Sequence, residues 1–233
     1  MKIKFISLVA VLCTLFSLSI SANAITLVAG FEVESLSEED EVVTFANVKM
    51  TLLSTEVIGK PIACFDVSSN GLIAVGFDSD PKTINVYDES GNFLYGYQFK
   101  CEGTYGISFE GDNLAVYFCR GELVQLYDSQ GQGIRAYRVL RTQNNQEQEH
   151  ALIYPMEKWV NNTHYSLERD FGILMRSYSR LVSRGQNIET IIYDVTPSYN
   201  ILTIFGVVFF AVFFIFIIYK AFQQEIQKEE HGC

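Results

Sequence analysis

The sequence predicts a mainly β protein, with an antiparallel, blade-like β meander in an exported domain followed by one C-terminal transmembrane α-helix. Three observations carry that expectation. The chain opens on a short basic stretch and an apolar segment. Two central segments repeat a strand–turn–strand pattern at an offset of 40 or 41 residues. An uncharged apolar run extends from Ile201 to Ile218.

At the amino end, Met1-Lys2-Ile3-Lys4 precedes the apolar segment Phe5–Ile20 and then Ser21-Ala22-Asn23-Ala24. A basic start, an apolar core and small residues two apart are the three parts of a secretory signal, so residues 1–24 are expected to be a signal peptide cleaved after Ala24. An uncleaved signal anchor is the competing reading, and it leaves the middle of the chain on the same side of the membrane. Cys13 is not read as a lipid-attachment site, because bulky Leu12 stands where a small residue is needed.

Residues 25–199 then form the exported β domain, long enough for one domain with a real core. Two of the 17 basic residues, Lys2 and Lys4, fall in the signal, which leaves 15 against 27 acidic residues and a net charge of −12. That balance opposes binding to nucleic acid or to an anionic lipid surface. Thr26–Val33 and Val42–Leu53 read as strands. The acidic cluster Glu38-Glu39-Asp40-Glu41 lacks the alternating ligands and turn glycine of a calcium loop and reads as a solvated turn.

Cys64, Cys101 and Cys119 lie in the exported part, with no C-x-x-C pair, and His150, His164 and His231 stand isolated, so no metal site and no cofactor are expected. Cys101 and Cys119 flank an expected hairpin turning at Gly111-Asp112-Asn113, which makes them the candidate disulfide pair. Three small buried apolar residues are the other reading of these cysteines.

The repeat occupies residues 62–100 and 101–139. Leu72-Ile73-Ala74-Val75 and Leu114-Ala115-Val116 are short apolar runs, as in strands covered on both faces. Ile84 and Val86, then Val124 and Leu126, alternate with polar neighbours, as in half-buried strands. Tyr87-Asp88 with Gly91, and Tyr127-Asp128 with Gly131, end those strands in a tight reversal: the aspartate bonds the turn and the glycine takes a positive φ. Phe93–Tyr97 and Ile134–Tyr137 are the returning strands. Ala74 and Ala115 are expected at equivalent buried positions.

A period near 40 built from strand, strand, Tyr-Asp-x-x-Gly turn and strand resembles the blades of β-propellers of the NHL and YVTN type. The resemblance covers residues 62–139. It implies a scaffold that displays loops for binding, with no reaction attached. A third echo runs from Phe171-Gly172-Ile173-Leu174-Met175 to Thr190-Ile191-Ile192-Tyr193-Asp194, but Thr196-Pro197 replaces the turn glycine. Because the first and last units lack the signature, an open or rolled antiparallel sheet, a partial propeller, is expected in preference to a closed ring.

An insert at residues 140–165 separates the second and third units. Thr142–His150 is polar without periodicity and reads as an exposed loop. Tyr154-Pro155-Met156-Glu157-Lys158-Trp159-Val160 carries the sole tryptophan. Trp159 and Tyr154 are the candidate partner contacts, since such rings anchor interfaces. Burial of the whole stretch in the core is the competing reading. Asn161-Asn162-Thr163 is a glycosylation sequon.

Residues 200–219 are expected to be the transmembrane helix. At ~1.5 Å per residue the run Ile201–Ile218 reaches about 27 Å, close to the hydrocarbon thickness of a bilayer. Tyr199 and Tyr219 stand at its two ends, where amphipathic rings favour the headgroup level. Residues 220–233 are then a short cytoplasmic tail.

No G-x-S-x-G, H-E-x-x-H or P-loop pattern occurs. Asp66, Asp78, Asp80, Glu110 and Asp112 are the acids an enzyme would draw on, and they read as turn formers. The expected function is therefore a membrane-anchored, extracytoplasmic binding or scaffold protein, non-catalytic, whose partners are the lipid bilayer and a protein or glycan. The alternatives are an extracytoplasmic hydrolase-like enzyme with an acidic site, or an accessory subunit of a membrane complex.

Overall fold

Three antiparallel meanders stack face to face. The computed structural model describes residues 26–169, 178–185, 188–196, 206 and 208–220. The first meander is β4 (Ile62–Val67), β5 (Ile73–Phe77), β6 (Lys82–Tyr87) and β7 (Phe93–Phe99), with the short β3 (Thr51–Leu53) added at its outer edge. The second is β8 (Tyr105–Glu110), β9 (Asn113–Phe118), β10 (Leu123–Tyr127) and β11 (Gly133–Val139). It is extended past β11 by β2 (Phe31–Ser35) and β1 (Thr26–Val28). The third is β12 (Glu157–Val160), β13 (Thr163–Glu168), β14 (Arg180–Arg184) and β15 (Glu189–Asp194).

The two central segments share several local features. Ala74 faces Val86 across the ladder, as Ala115 faces Leu126, and both alanines are fully buried. The register shifts between Val86 and Tyr87 in the first meander and between Leu126 and Tyr127 in the second. Each strand then closes on the same turn. Asp88 Oδ1 accepts from the N–H groups of Ser90 and Asn92, both at 2.9 Å, and Asp128 Oδ1 accepts from Gln130 at 2.9 Å and Gln132 at 2.8 Å. Gly91 and Gly131 have φ of +82° and +76°, the left-handed region open to glycine without a Cβ clash.

The core lies between the sheets. Phe65, Val75, Phe77 and Tyr87 of the first meander pack against Leu167, Leu181 and Tyr193 of the third. On its other face, Ile84, Val86, Tyr97 and Phe99 meet Ile107, Val116 and Tyr127 of the second. The far face of the second meander is covered by Phe31 and Val33 of β2 and by Leu152 and Ile153 of the second helix. Tyr105 latches the two repeated units together, since its hydroxyl donates to the carbonyls of Phe77 and Thr83, each at 3.0 Å. A Cβ on Gly76 would lie 2.7 Å from that hydroxyl, so the latch needs glycine there.

Four expectations are corrected. The segment Val42–Leu53 is not one strand: helix α1 occupies Glu38–Asn47, and only Thr51–Leu53 is extended. The acidic cluster is its first turn, where negative charge meets the positive end of the helix, and Ser37 Oγ caps it by accepting from Asp40 N–H. Thr26–Val33 is divided by the turn Ala29-Gly30 into β1 and β2. The segment Thr142–His150 is not an exposed loop but the start of helix α2 (Gln143–Ile153), capped by the Thr142 side chain at Asn145 N–H. Asn145 is buried and bonds backbone groups of Glu32 and Leu140, which fixes the helix against β2. The expected insert also ends early, because β12 begins the third meander at Glu157.

Phe171–Met175 lies outside the described residues, as do the signal, the Ala24 cleavage site and the cytoplasmic tail beyond Lys220. The expected span at residues 200–219 is described only at 206 and from 208 onward. Residues 208–220 are helical, and their apolar side chains are exposed. Among the described residues no helix is long and apolar enough to cross a membrane.

Candidate functional site, a cleft between the repeated meanders

A cleft of about 790 Å3 opens between the first and second meanders under the end of α1. Its floor is Gln125 on β10, with Leu123 and Phe118 beside it, and α1 lends Thr44, Asn47 and Val48 as one wall. The opposite rim comes from the turn before β6 (Ser79, Asp80 and then Lys82) and from the turn after β7 (Lys100, Cys101 and Glu102). Arg120 closes the end and pairs with Glu102, as Lys82 pairs with Asp78. Lys100 and Asp80 have no ion-pair partner among the described residues.

Gln125 is fully buried, yet only half of its amide is bonded. The Tyr127 hydroxyl donates to its Oε1, and its Nε2 has no hydrogen-bond partner. Native chains rarely leave a buried donor unpaired, because its lost hydration goes uncompensated at a cost of about 1–3 kcal/mol. Gln125 is one such exception, and it is among the residues that line the cleft.

The cleft offers no activated nucleophile. Cys101 is half-buried, and burial raises its thiol above the ordinary value, the opposite of what thiolate chemistry requires. Among the described residues no group of three or more His, Cys, Asp or Glu is placed to hold a metal ion.

The acids singled out in the sequence do not converge. Asp66 joins three strands: it accepts from Phe109 N–H at 2.7 Å on β8 and pairs with Lys158 on β12. Asp78 pairs with Lys82, Asp112 accepts from Asn70 Nδ2 at 2.7 Å, and Glu110 accepts from Ala29 N–H. Only Asp80 reaches the cleft.

Cys64, Cys101 and Cys119 are free thiols in the structure. The expected hairpin is there, with Glu110 facing Asn113, but its register sets Cys119 across from Thr104, whose carbonyl accepts from Cys119 N–H at 3.3 Å. Cys101 lies three residues farther along the turn, so flanking the hairpin does not make the two thiols cross-strand neighbours.

Trp159 is 68% exposed on β12 and stacks on His164 at 4.6 Å, while Tyr154 and Met156 are likewise exposed. The stretch is thus a surface feature and not a core insertion. It stands apart from the cleft, which neither Trp159 nor Tyr154 lines.

Gln125 and the cleft were missed by the sequence reading, although one signal for Gln125 exists. It aligns with Asn85 in the two matched segments, each a polar residue flanked by apolar ones on its β strand. Compared with known proteins, the chain matches no family model and no curated protein.

Proposed function

We propose that this chain is a membrane-anchored, extracytoplasmic binding protein, non-catalytic, whose stacked β meanders present a cleft to a protein or glycan partner. One observation carries the reading: the buried, unpartnered Gln125 Nε2 in the lining of a cleft whose thiol, Cys101, is made harder to ionise by burial. A site of that composition recognises and holds. The three antiparallel meanders favour blade-like units of an open propeller. The exposed, wholly apolar side chains from Val208 to Ile218 favour the anchor, since lipid is the environment in which such a surface has no cost. The basic, apolar and small-residue pattern of Met1–Ala24 favours a β domain outside the cytoplasm.

Two measurements test this. Amino-terminal sequencing of the mature protein should begin at Ile25, and retention of Met1 overturns the cleaved-signal topology. The full chain in nanodiscs, exposed to arrayed peptides and glycans, should retain a ligand unaltered by mass spectrometry. Cleavage of a retained ligand overturns the non-catalytic reading.

A further inference from the structure

The fold answers, in its first meander, the question that Gln125 poses in its second. Asn85 is the repeat equivalent of Gln125: it precedes Tyr87 by two residues, as Gln125 precedes Tyr127, and it too is fully buried. Its amide is completely used. Asn85 Nδ2 donates to the Val57 carbonyl at 2.8 Å and to the Tyr87 hydroxyl at 2.8 Å, and Asn85 Oδ1 accepts from Val57 N–H at 3.2 Å. The Tyr87 hydroxyl donates onward to Glu56 at 2.8 Å. The asparagine side chain thereby clasps the backbone of Val57, which lies outside helix and strand, by both its N–H and its C=O.

The two halves also share the route by which the chain arrives. The segment over Asn85 leaves β3, the strand added beside β7; the segment over the second meander leaves β2, the strand added beside β11. There the resemblance breaks. What leaves β2 is helix α1, whose backbone groups are largely spent on its own hydrogen bonds and cannot serve a side-chain amide. Its Phe45 ring packs edge-on against Tyr127 at 5.7 Å, while Gln125 lines the cleft with its buried Nε2 left without a partner.

We propose that the cleft binds an extended peptide segment of a partner protein, in which a backbone carbonyl accepts from Gln125 Nε2 as the Val57 carbonyl accepts from Asn85. The proposal rests on the binding reading above and names its ligand class. The rim supports a backbone over a simple anion. Lys100 leaves a donor and Asp80 an acceptor unpaired among the described residues, and a peptide carries both complements in each residue. A small anion satisfies Lys100 and is repelled by Asp80. The apolar floor and wall, Phe118, Leu123 and Val48, supply the surface on which an adjacent side chain is buried.

The test uses the full chain in nanodiscs and a fluorescent hexapeptide of sequence Ser-Thr-Glu-Val-Ile-Gly, the chain's own residues 54–59, acetylated and amidated so that it carries no terminal charge. Saturable binding is expected. Gln125→Leu, which removes the orphaned donor at similar volume, is expected to weaken it by at least about tenfold. Val48→Trp, which fills the cleft from the helix side, is expected to abolish it, with both variants melting as the parent does. Acetate in excess is expected not to compete. Equal affinity in Gln125→Leu and the parent overturns the proposal, and so does displacement by acetate, which marks a small-anion site. Retention of an arrayed glycan in the cleft with no peptide bound overturns the peptide assignment while leaving the binding function standing. Failure to retain any peptide or glycan removes both.

Discussion

Asp66 on β4 pairs with Lys158 on β12, and the same carboxylate accepts from Phe109 N–H at 2.7 Å on β8. One acid therefore ties together the first strands of all three meanders. Its side chain is 10% exposed, whereas that of Lys158 is 37% exposed, so solvent screens the ion pair and the buried backbone bond is the stronger tie.

Asp66→Ala should destabilise the chain by about 2 kcal/mol, because it orphans the Phe109 amide as well as the ammonium group. Asp66→Asn, which keeps an acceptor for Phe109, should cost about half as much. Urea unfolding followed by circular dichroism distinguishes them. Equal losses in the two variants would assign the role to the ion pair.

Gly91→Val and Gly131→Val should each destabilise by roughly 1–3 kcal/mol, since a β-branched residue is strained at positive φ. At Gly91 a Cβ would also stand 3.5 Å from Ile192 Cα, against the third meander. Gly185 has no positive φ and open surroundings, so Gly185→Val should stay within about 0.5 kcal/mol. The same melts report all three.

The carboxyl of Asp88 is held below the ordinary carboxylate range, first by the hydrogen bond from the Asn92 side chain and then by the Asn92 backbone N–H. A lowered folded value means that the turn contributes its stability above the ordinary aspartate value and loses it as pH falls through the folded one. Asp88→Ala should accordingly lower the melting temperature at neutral pH, and the gap to the parent should close in acid. A gap that stays constant as the pH falls from neutral through the acid range contradicts this account of the turn.

Cys64, Cys101 and Cys119 should all be alkylated when the chain is unfolded without reductant. In the folded chain Cys64 should react only as fast as the protein unfolds, because it is fully buried and burial raises its thiol well above the ordinary value. Burial, helped by the charge of Glu149, pushes Cys119 up to about 11, so its labelling should accelerate as the solution is made more alkaline toward that value. Mass mapping decides, and a linked Cys101–Cys119 peptide would show the bridge instead.

Trp159 is the sole tryptophan and 68% exposed, so the emission of the folded chain should already be that of a solvated indole and change little on unfolding. Trp159→Ala should leave stability within about 0.5 kcal/mol. A blue-shifted native emission would place the ring under cover.

The sequence by itself determined the repeat. Ala74 and Ala115, Tyr87 and Tyr127, and the Asp-x-x-Gly reversals are local and periodic, and the physics that specifies them acts within a few residues: a pleat of period two, an aspartate that bonds its own turn, a glycine at positive φ. The two helices were within reach of the same reasoning. Ser37 with an acidic first turn and Thr142 before Gln143 are capping signals, outweighed here by the β-branched pair Val42-Val43 and by the polarity of Gln143–Glu149. α1 buries no residue fully, so it carries no apolar stripe for a sequence to display.

Only the tertiary structure decided the rest. Whether Trp159 faces solvent or the core depends on which strand lies beside β12, and periodicity does not encode that. Asn85 and Gln125 look alike along the chain, each a polar residue flanked by apolar ones. What separates them is the neighbouring segment: non-helical backbone at Val57, a helix with internally spent hydrogen bonds at Glu38–Asn47. A side-chain amide is satisfied or orphaned according to a partner 28 residues away in one case and absent in the other, and that is a property of the packed chain.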